Sequence, residues 1–100
     1  MRTAARVDSN QAEIVRALRQ AGCFVTSLAA VGHGVPDLLV VRAGVVHVLE
    51  VKDGDKVPSA RKLTPDEAAW HEVAAAHGYA VPVVESVADA MRAVGLAGEG

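Results

Sequence analysis

The chain has 100 residues, of which 51% are hydrophobic and only 3% aromatic, and its formal net charge is −2. The length indicates one small domain, and the composition indicates a core of aliphatic side chains. The near-neutral net charge gives no indication of nucleic-acid binding. No apolar stretch approaches the roughly 18 residues that suggest a membrane span, and the polar N-terminus lacks the apolar core of a signal peptide. The single cysteine, Cys23, excludes an intrachain disulfide and fits a reducing compartment, so we expect a cytoplasmic protein.

The first predicted element is a helix over residues 9–21, which ends before Gly22. Two frames could cap its start with the spacing of a capping box, namely Asn10 with Glu13 or Asp8 with Gln11. Three strands follow, at residues 23–29, 37–42 and 45–52.

The second and third strands predict a hairpin, because Ala43 and Gly44 separate two apolar runs. If the turn is centred between these two residues, Asp37 faces Glu50 across the ladder. A three-residue loop or a bulge would instead shift the pairing by one and separate the two acids.

The second half of the chain predicts a polar loop, a helix, a strand and a last helix, at residues 53–63, 64–77, 79–84 and 86–94. Thr64, Pro65 and Glu67 have the arrangement of an N-cap, a first-turn proline and a closed capping box. Pro82 indicates an edge position for the fourth strand. The order α-β-β-β-α-β-α predicts an α/β domain, with a small mixed β-sheet flanked by helices.

The predicted hairpin gathers three charged side chains at one end. Glu50 and Lys52 share a face because side chains alternate along a strand, and Asp37 opposes Glu50. Opposed carboxylates repel each other unless a cation lies between them, and Mg²⁺ or Mn²⁺ suits such hard oxygen ligands. The backbone carbonyl of Val51 could add a ligand, and Lys52 could hold the attacking water. The competing interpretation is an ordinary surface pair of Glu50 and Lys52 at the end of a strand.

The motif Pro36-Asp37 followed by Glu50-Val51-Lys52 resembles that of the PD-(D/E)XK nuclease superfamily. The strings Gly34-Val35-Pro36-Asp37 and Ser59-Ala60-Arg61-Lys62-Leu63-Thr64-Pro65 are similar to those of phage-type VRR-NUC domains, which are related to Holliday-junction resolvases. The resemblance covers nearly the whole chain, and it implies a single VRR-NUC-like nuclease domain over residues 1–100 from a bacterium or a phage-infected host. It implies a restriction-endonuclease-like fold and a Mg²⁺- or Mn²⁺-dependent endonuclease that hydrolyses phosphodiester bonds of DNA, with a possible preference for junctions or flaps.

The resemblance also implies roles for individual residues. It assigns metal binding to Asp37 and Glu50, a catalytic role to Lys52, and a supporting acidic role to Glu13, for which helix capping is the alternative. Relatives often carry a glutamine early in the second long helix, where this chain has Glu67.

Nucleic-acid contacts are expected from the loop after the third strand, since residues 52–62 carry four basic and two acidic side chains. The candidates are Lys56, Arg61 and Lys62, together with His33 in the glycine loop before Asp37. Because one small domain offers limited surface, we expect a homodimer acting on DNA. Trp70 is expected to be a core anchor. The alternative function is a non-catalytic nucleic-acid-binding module of the same fold.

Overall fold

The computed structural model describes residues 10–96. Its helices are α1 (Gln11–Gln20), α2 (Pro65–Ala76) and α3 (Val87–Ala93), its strands are β1 (Phe24–Ser27), β2 (Leu38–Arg42), β3 (Val45–Val51) and β4 (Val83–Val84), and a 3₁₀ turn covers Pro58–Arg61. The predicted α-β-β-β-α-β-α order is confirmed. Within these residues no helix is long and apolar enough to cross a membrane.

The four strands form one mixed sheet in the order β1-β2-β3-β4. The first three strands are antiparallel, and β3 pairs in parallel with β4 after the crossover through α2. The fourth strand is shorter than predicted, although its expected place at the edge of the sheet is correct.

The hairpin has the predicted register. Leu38 pairs with Leu49 and Arg42 pairs with Val45. Ala43 and Gly44 both have positive φ angles, 51° and 80°, and this is the backbone that a two-residue hairpin turn of the tight, twisted kind requires. Continuing the register past the end of β2 places Asp37 opposite Glu50.

One face of the sheet is sealed by α1 and α3. Alternate residues of the strands, such as Leu38, Val40 and Leu49, are completely buried there. They pack against Ile14 and Leu18 of α1 and, with them, form a continuous aliphatic core. At about 25 cal/mol for each Å² of apolar surface removed from water, this face supplies most of the driving force for folding.

The opposite face is only partly covered. Phe24, Val41 and Val46 are direct neighbours across three strands, and Phe24 and Val46 are 64% and 55% exposed. Helix α2 covers the other end of this face, and none of its residues is fully buried. The prediction that Trp70 anchors the core is therefore wrong, since Trp70 is half-buried and outside the core cluster.

Candidate active site

Two acidic residues meet where the hairpin opens. The backbone amide of Asp37 donates to the carbonyl of Leu49 at 3.0 Å, and Oδ2 of Asp37 accepts from the amide of Val51 at 2.7 Å. The side chains of Asp37 and Glu50 are close enough for Asp37 to raise the pKa of Glu50. Sequence periodicity thus located this pair correctly.

The environment of Glu50 disfavours its charge. The residue is 1% exposed, and burial, followed by the hydrogen bond and the charge of Asp37, raises the pKa of Glu50 to about 9. Lys52 opposes this shift without overcoming it. The second oxygen, Oε2, is buried and has no hydrogen-bond partner. A bound cation would give this buried oxygen a partner and would reduce the repulsion between the two carboxylates.

Lys52 is held by the second long helix. Its Nζ lies 2.8 Å from Oε1 of Glu67, and the same oxygen accepts from the backbone amide of Thr64 at 2.9 Å. The predicted capping box is present, so one carboxylate both caps α2 and binds Lys52. Burial alone would raise the pKa of Glu67, but the hydrogen bonds from Lys52 and Thr64 bring it below its ordinary value.

His71 joins the site from the next turn of α2. Its Nε2 lies 3.0 Å from Oε1 of Glu50, and both side chains are largely buried. Burial is the main cause that lowers the pKa of His71, which favours the neutral imidazole. No role for His71 was predicted from the sequence. The available signal was the four-residue spacing between Glu67 and His71, which places both on one face of a helix.

The start of α1 is tied to the same end of the sheet. The side chain of Asn10 donates to the backbone carbonyls of Lys52 at 3.2 Å and Glu85 at 3.1 Å. It makes no capping hydrogen bond, so the capping box predicted for Asn10 and Glu13 is wrong. Asp8, from the competing frame, lies outside the described residues. Glu13 is exposed in the first turn of α1.

The expected nucleic-acid contacts divide into two kinds. Lys56, Lys62 and His33 are exposed. Arg61 instead pairs with Glu85 at 3.2 Å and is partly buried. Because Glu85 directly follows β4, this ion pair connects the loop of residues 53–63 to the end of the sheet. We therefore assign Arg61 a structural role.

The residues present are compatible with a sparsely ligated metal ion. Among residues 10–96, no three His, Cys, Asp or Glu side chains are grouped as a metal-binding set. Mg²⁺ commonly takes only one or two carboxylates from a protein and keeps several waters. The amide of Val51 points towards Asp37, and in an extended strand the carbonyl of a residue points to the same side as its amide. Asp37, Glu50 and the carbonyl of Val51 therefore form a suitable set.

Comparison with known proteins supports a nuclease-fold domain. The structure is similar to that of a VRR_NUC domain, with a TM-score of 0.61 and 27% sequence identity over 85% of this chain and 94% of the other. No family model and no curated protein matches. The structural match confirms both the predicted α/β fold and the predicted resemblance to VRR-NUC domains.

Proposed function

We propose that this chain is a metal-dependent DNA endonuclease that hydrolyses phosphodiester bonds. The observation that carries the proposal is the pair formed by the partly buried Asp37 and the fully buried Glu50, with an oxygen of Glu50 that has no partner. A pair of acids this unfavourable in isolation is expected where a cation completes the site. Lys52 on the same face adds the positive group that phosphate chemistry needs.

Asp37, Glu50 and the carbonyl of Val51 would hold Mg²⁺ or Mn²⁺. When bound, such an ion polarises a phosphodiester and lowers the pKa of a coordinated water. The protein contributes the orientation of its ligands. The contact of His71 with Oε1 of Glu50 fixes that carboxylate and leaves Oε2 as its remaining acceptor.

Lys52 would bind the attacking water or a non-bridging phosphate oxygen through its ammonium group. Its contact with Glu67 holds the side chain over the end of the hairpin. An ammonium is a compact charge with three donors, so Lys52 can keep the bond to Glu67 and still donate to a substrate oxygen. Glu67 would thus act as a positioning residue for Lys52.

The exposed Lys56 and Lys62 would bind DNA phosphates beside the site. Contacts of this kind set the position of the duplex and carry no sequence information. We therefore expect selection by DNA shape, such as a junction or a flap, and a binding affinity that falls steeply with salt concentration.

We also propose that the protein acts as a homodimer. The exposed Phe24 and Val46, with the partly buried Val41 between them, form an apolar patch on a sheet face that α2 leaves open. Such patches on small domains commonly mark interaction sites, and two copies would present two active sites to two strands. Light scattering coupled to size-exclusion chromatography measures the mass directly, and a monomer with and without DNA would contradict the dimer.

The test of the function is a cleavage assay on labelled duplex, single-stranded, flap and four-way-junction DNA. Each substrate is incubated with Mg²⁺, Mn²⁺ or EDTA and with wild type or Lys52→Met, which keeps the length of the side chain. We expect metal-dependent cutting that falls by about 10²–10³-fold in the variant, the scale seen when one transition-state donor is removed. Thermal unfolding checks that both proteins are folded. DNA binding without cutting of any substrate would favour a non-catalytic binding module.

A further inference from the structure

A second concave site lies beside the candidate active site. Helix α2 and the glycine loop before Asp37 enclose a pocket of about 470 Å³. Its wall includes the apolar side chains of Trp70 and Val73, and polar groups come from His33, Asp66 and His77. An apolar wall with a few polar groups at this volume is typical of sites for small molecules. The catalytic residues proposed above do not line it.

The two walls of the pocket are fixed against each other. Gly34 has a φ of +81°, and a Cβ added there would lie 2.2 Å from the backbone carbonyl oxygen of Asp66. Only glycine fits such a close approach of the loop to the start of α2. His33 next to it has a φ of 56°, which is unusual for a residue with a side chain. The loop therefore holds His33 in one place at the rim of the pocket.

The same two elements also carry the candidate active site. Asp37 follows Gly34 by three residues, and His71, which contacts Glu50, follows Trp70 directly. Successive residues of a helix are separated by about 100° around its axis. A molecule bound against Trp70 would consequently lie beside the acidic pair of Asp37 and Glu50.

We propose that this pocket binds one nucleobase of the substrate strand, close to the phosphate that is cut. The base would stack on Trp70, and His33 and Asp66 would meet its hydrogen-bonding edge. Stacking on an aromatic ring accepts any base, because every base has a π-face. A base can enter only when it leaves its own stack, so the pocket selects DNA with an unpaired nucleotide beside the cut. This inference rests on the proposed nuclease function and names its substrate class.

A second copy of the chain is a weaker candidate for the same pocket. The apolar patch of Phe24, Val41 and Val46 lies on the open part of the sheet face and is not part of this pocket. The pocket on α2 is concave, and it has titratable groups at its rim. The dimer and the base are thus assigned to different surfaces.

Trp70 is the only tryptophan of the chain, so its fluorescence reports on the pocket directly. Wild-type protein in EDTA, which prevents cutting, is titrated with a single-stranded oligonucleotide and with versions that carry one abasic site at successive positions. Binding is followed independently by the anisotropy of a dye on the DNA. The same titrations are made with Trp70→Ala and Trp70→Phe.

We expect DNA to quench the fluorescence of Trp70, and one particular abasic position to abolish the quenching. Trp70→Ala should weaken binding by about tenfold, the scale of one stacked base, and Trp70→Phe should restore most of it. Two results would contradict base binding in the pocket and leave the nuclease proposal intact. One is DNA binding, detected by anisotropy, without quenching of Trp70, and the other is quenching that no abasic site changes. A tryptophan signal that changes with protein concentration alone would assign the pocket to a second copy. Failure to bind or cut any DNA would overturn both proposals.

Discussion

The two faces of the sheet differ although the same strands build them. On the face covered by α1 and α3, Leu49 and Val51 of β3 are buried among aliphatic side chains. On the other face, Glu50 and Lys52 of the same strand lie beneath α2 and contact its polar side chains. Alternation along one strand therefore separates the residues that stabilise the fold from those that carry the chemistry.

This separation has an energetic consequence. The sealed face gains free energy from burial of apolar surface, whereas the site face buries a carboxyl group whose pKa is raised to about 9. Burial of ionisable groups with incomplete pairing destabilises a fold. The aliphatic face offsets that cost, so the protein can keep a reactive cluster at the end of its hairpin.

The largest effect on stability is expected from a substitution that creates a cavity on the face covered by α1 and α3. Leu49→Ala should lower the free energy of unfolding by about 2–5 kcal/mol, since it removes a fully buried side chain and leaves a void. Urea denaturation measures this change. The cleavage rate of the fraction that remains folded should stay near that of wild type. A stability loss below 1 kcal/mol would show that this face contributes less than its burial indicates.

A smaller effect is expected for the histidine that contacts the acidic pair. His71→Ala should weaken binding of Mn²⁺ by about 10–100-fold, as loss of a group that orients a metal ligand typically does. Isothermal titration calorimetry provides the affinity without reference to activity. His71→Gln can keep a hydrogen bond to Glu50 and should recover part of the affinity. Equal affinities of wild type and His71→Ala for Mn²⁺ would contradict the role of His71 in positioning Glu50.

The smallest effect on stability is expected on the open part of the site face. Val46→Lys places a charge on a half-exposed strand position, so the free energy of unfolding should change by no more than about 0.5 kcal/mol. The mass in solution should nevertheless fall from that of a dimer to that of a monomer. Val45→Lys, at a neighbouring position that is exposed to a similar degree but faces the other side of the sheet, is the matched charge control. A dimer that survives Val46→Lys would place the interface elsewhere.

The sequence predicted those parts of the molecule that depend on local periodicity. The pairing of Asp37 with Glu50 followed from alternation and from the turn at Ala43 and Gly44, and the capping box of α2 followed from the spacing of Thr64 and Glu67. These features involve neighbours in the chain or strands joined by a short turn. Local rules are sufficient for them.

The remaining features depend on how distant elements pack. The contacts of Lys52 with Glu67 and of His71 with Glu50 arise from the way in which α2 lies across the sheet. The side chain of Asn10 does not cap α1 as predicted. It donates instead to backbone carbonyls of residues 42 and 75 positions further along the chain. The spacing of Glu67 and His71 places both on one face of α2, but periodicity within one element cannot predict which strand residues that face contacts.

The central claim is that the acidic pair is a cation site, and the most direct measurement is the unfolding free energy of wild type and Glu50→Gln in EDTA and in Mg²⁺. Because the pKa of Glu50 is raised to about 9 in the fold, the stability contributed by its protonated form is complete below the ordinary pKa of a glutamate. It is lost as the pH rises through about 9. At alkaline pH in EDTA, Glu50→Gln should therefore be more stable than wild type, by about 1–3 kcal/mol.

Mg²⁺ should stabilise wild type and leave Glu50→Gln nearly unchanged, because a ligand stabilises only the folded state that binds it. Asp55→Asn, a change at an exposed acid of the loop, is the control for general charge effects. A wild type that gains nothing from Mg²⁺ or Mn²⁺, together with a Glu50→Gln variant that is less stable in EDTA, would contradict the account.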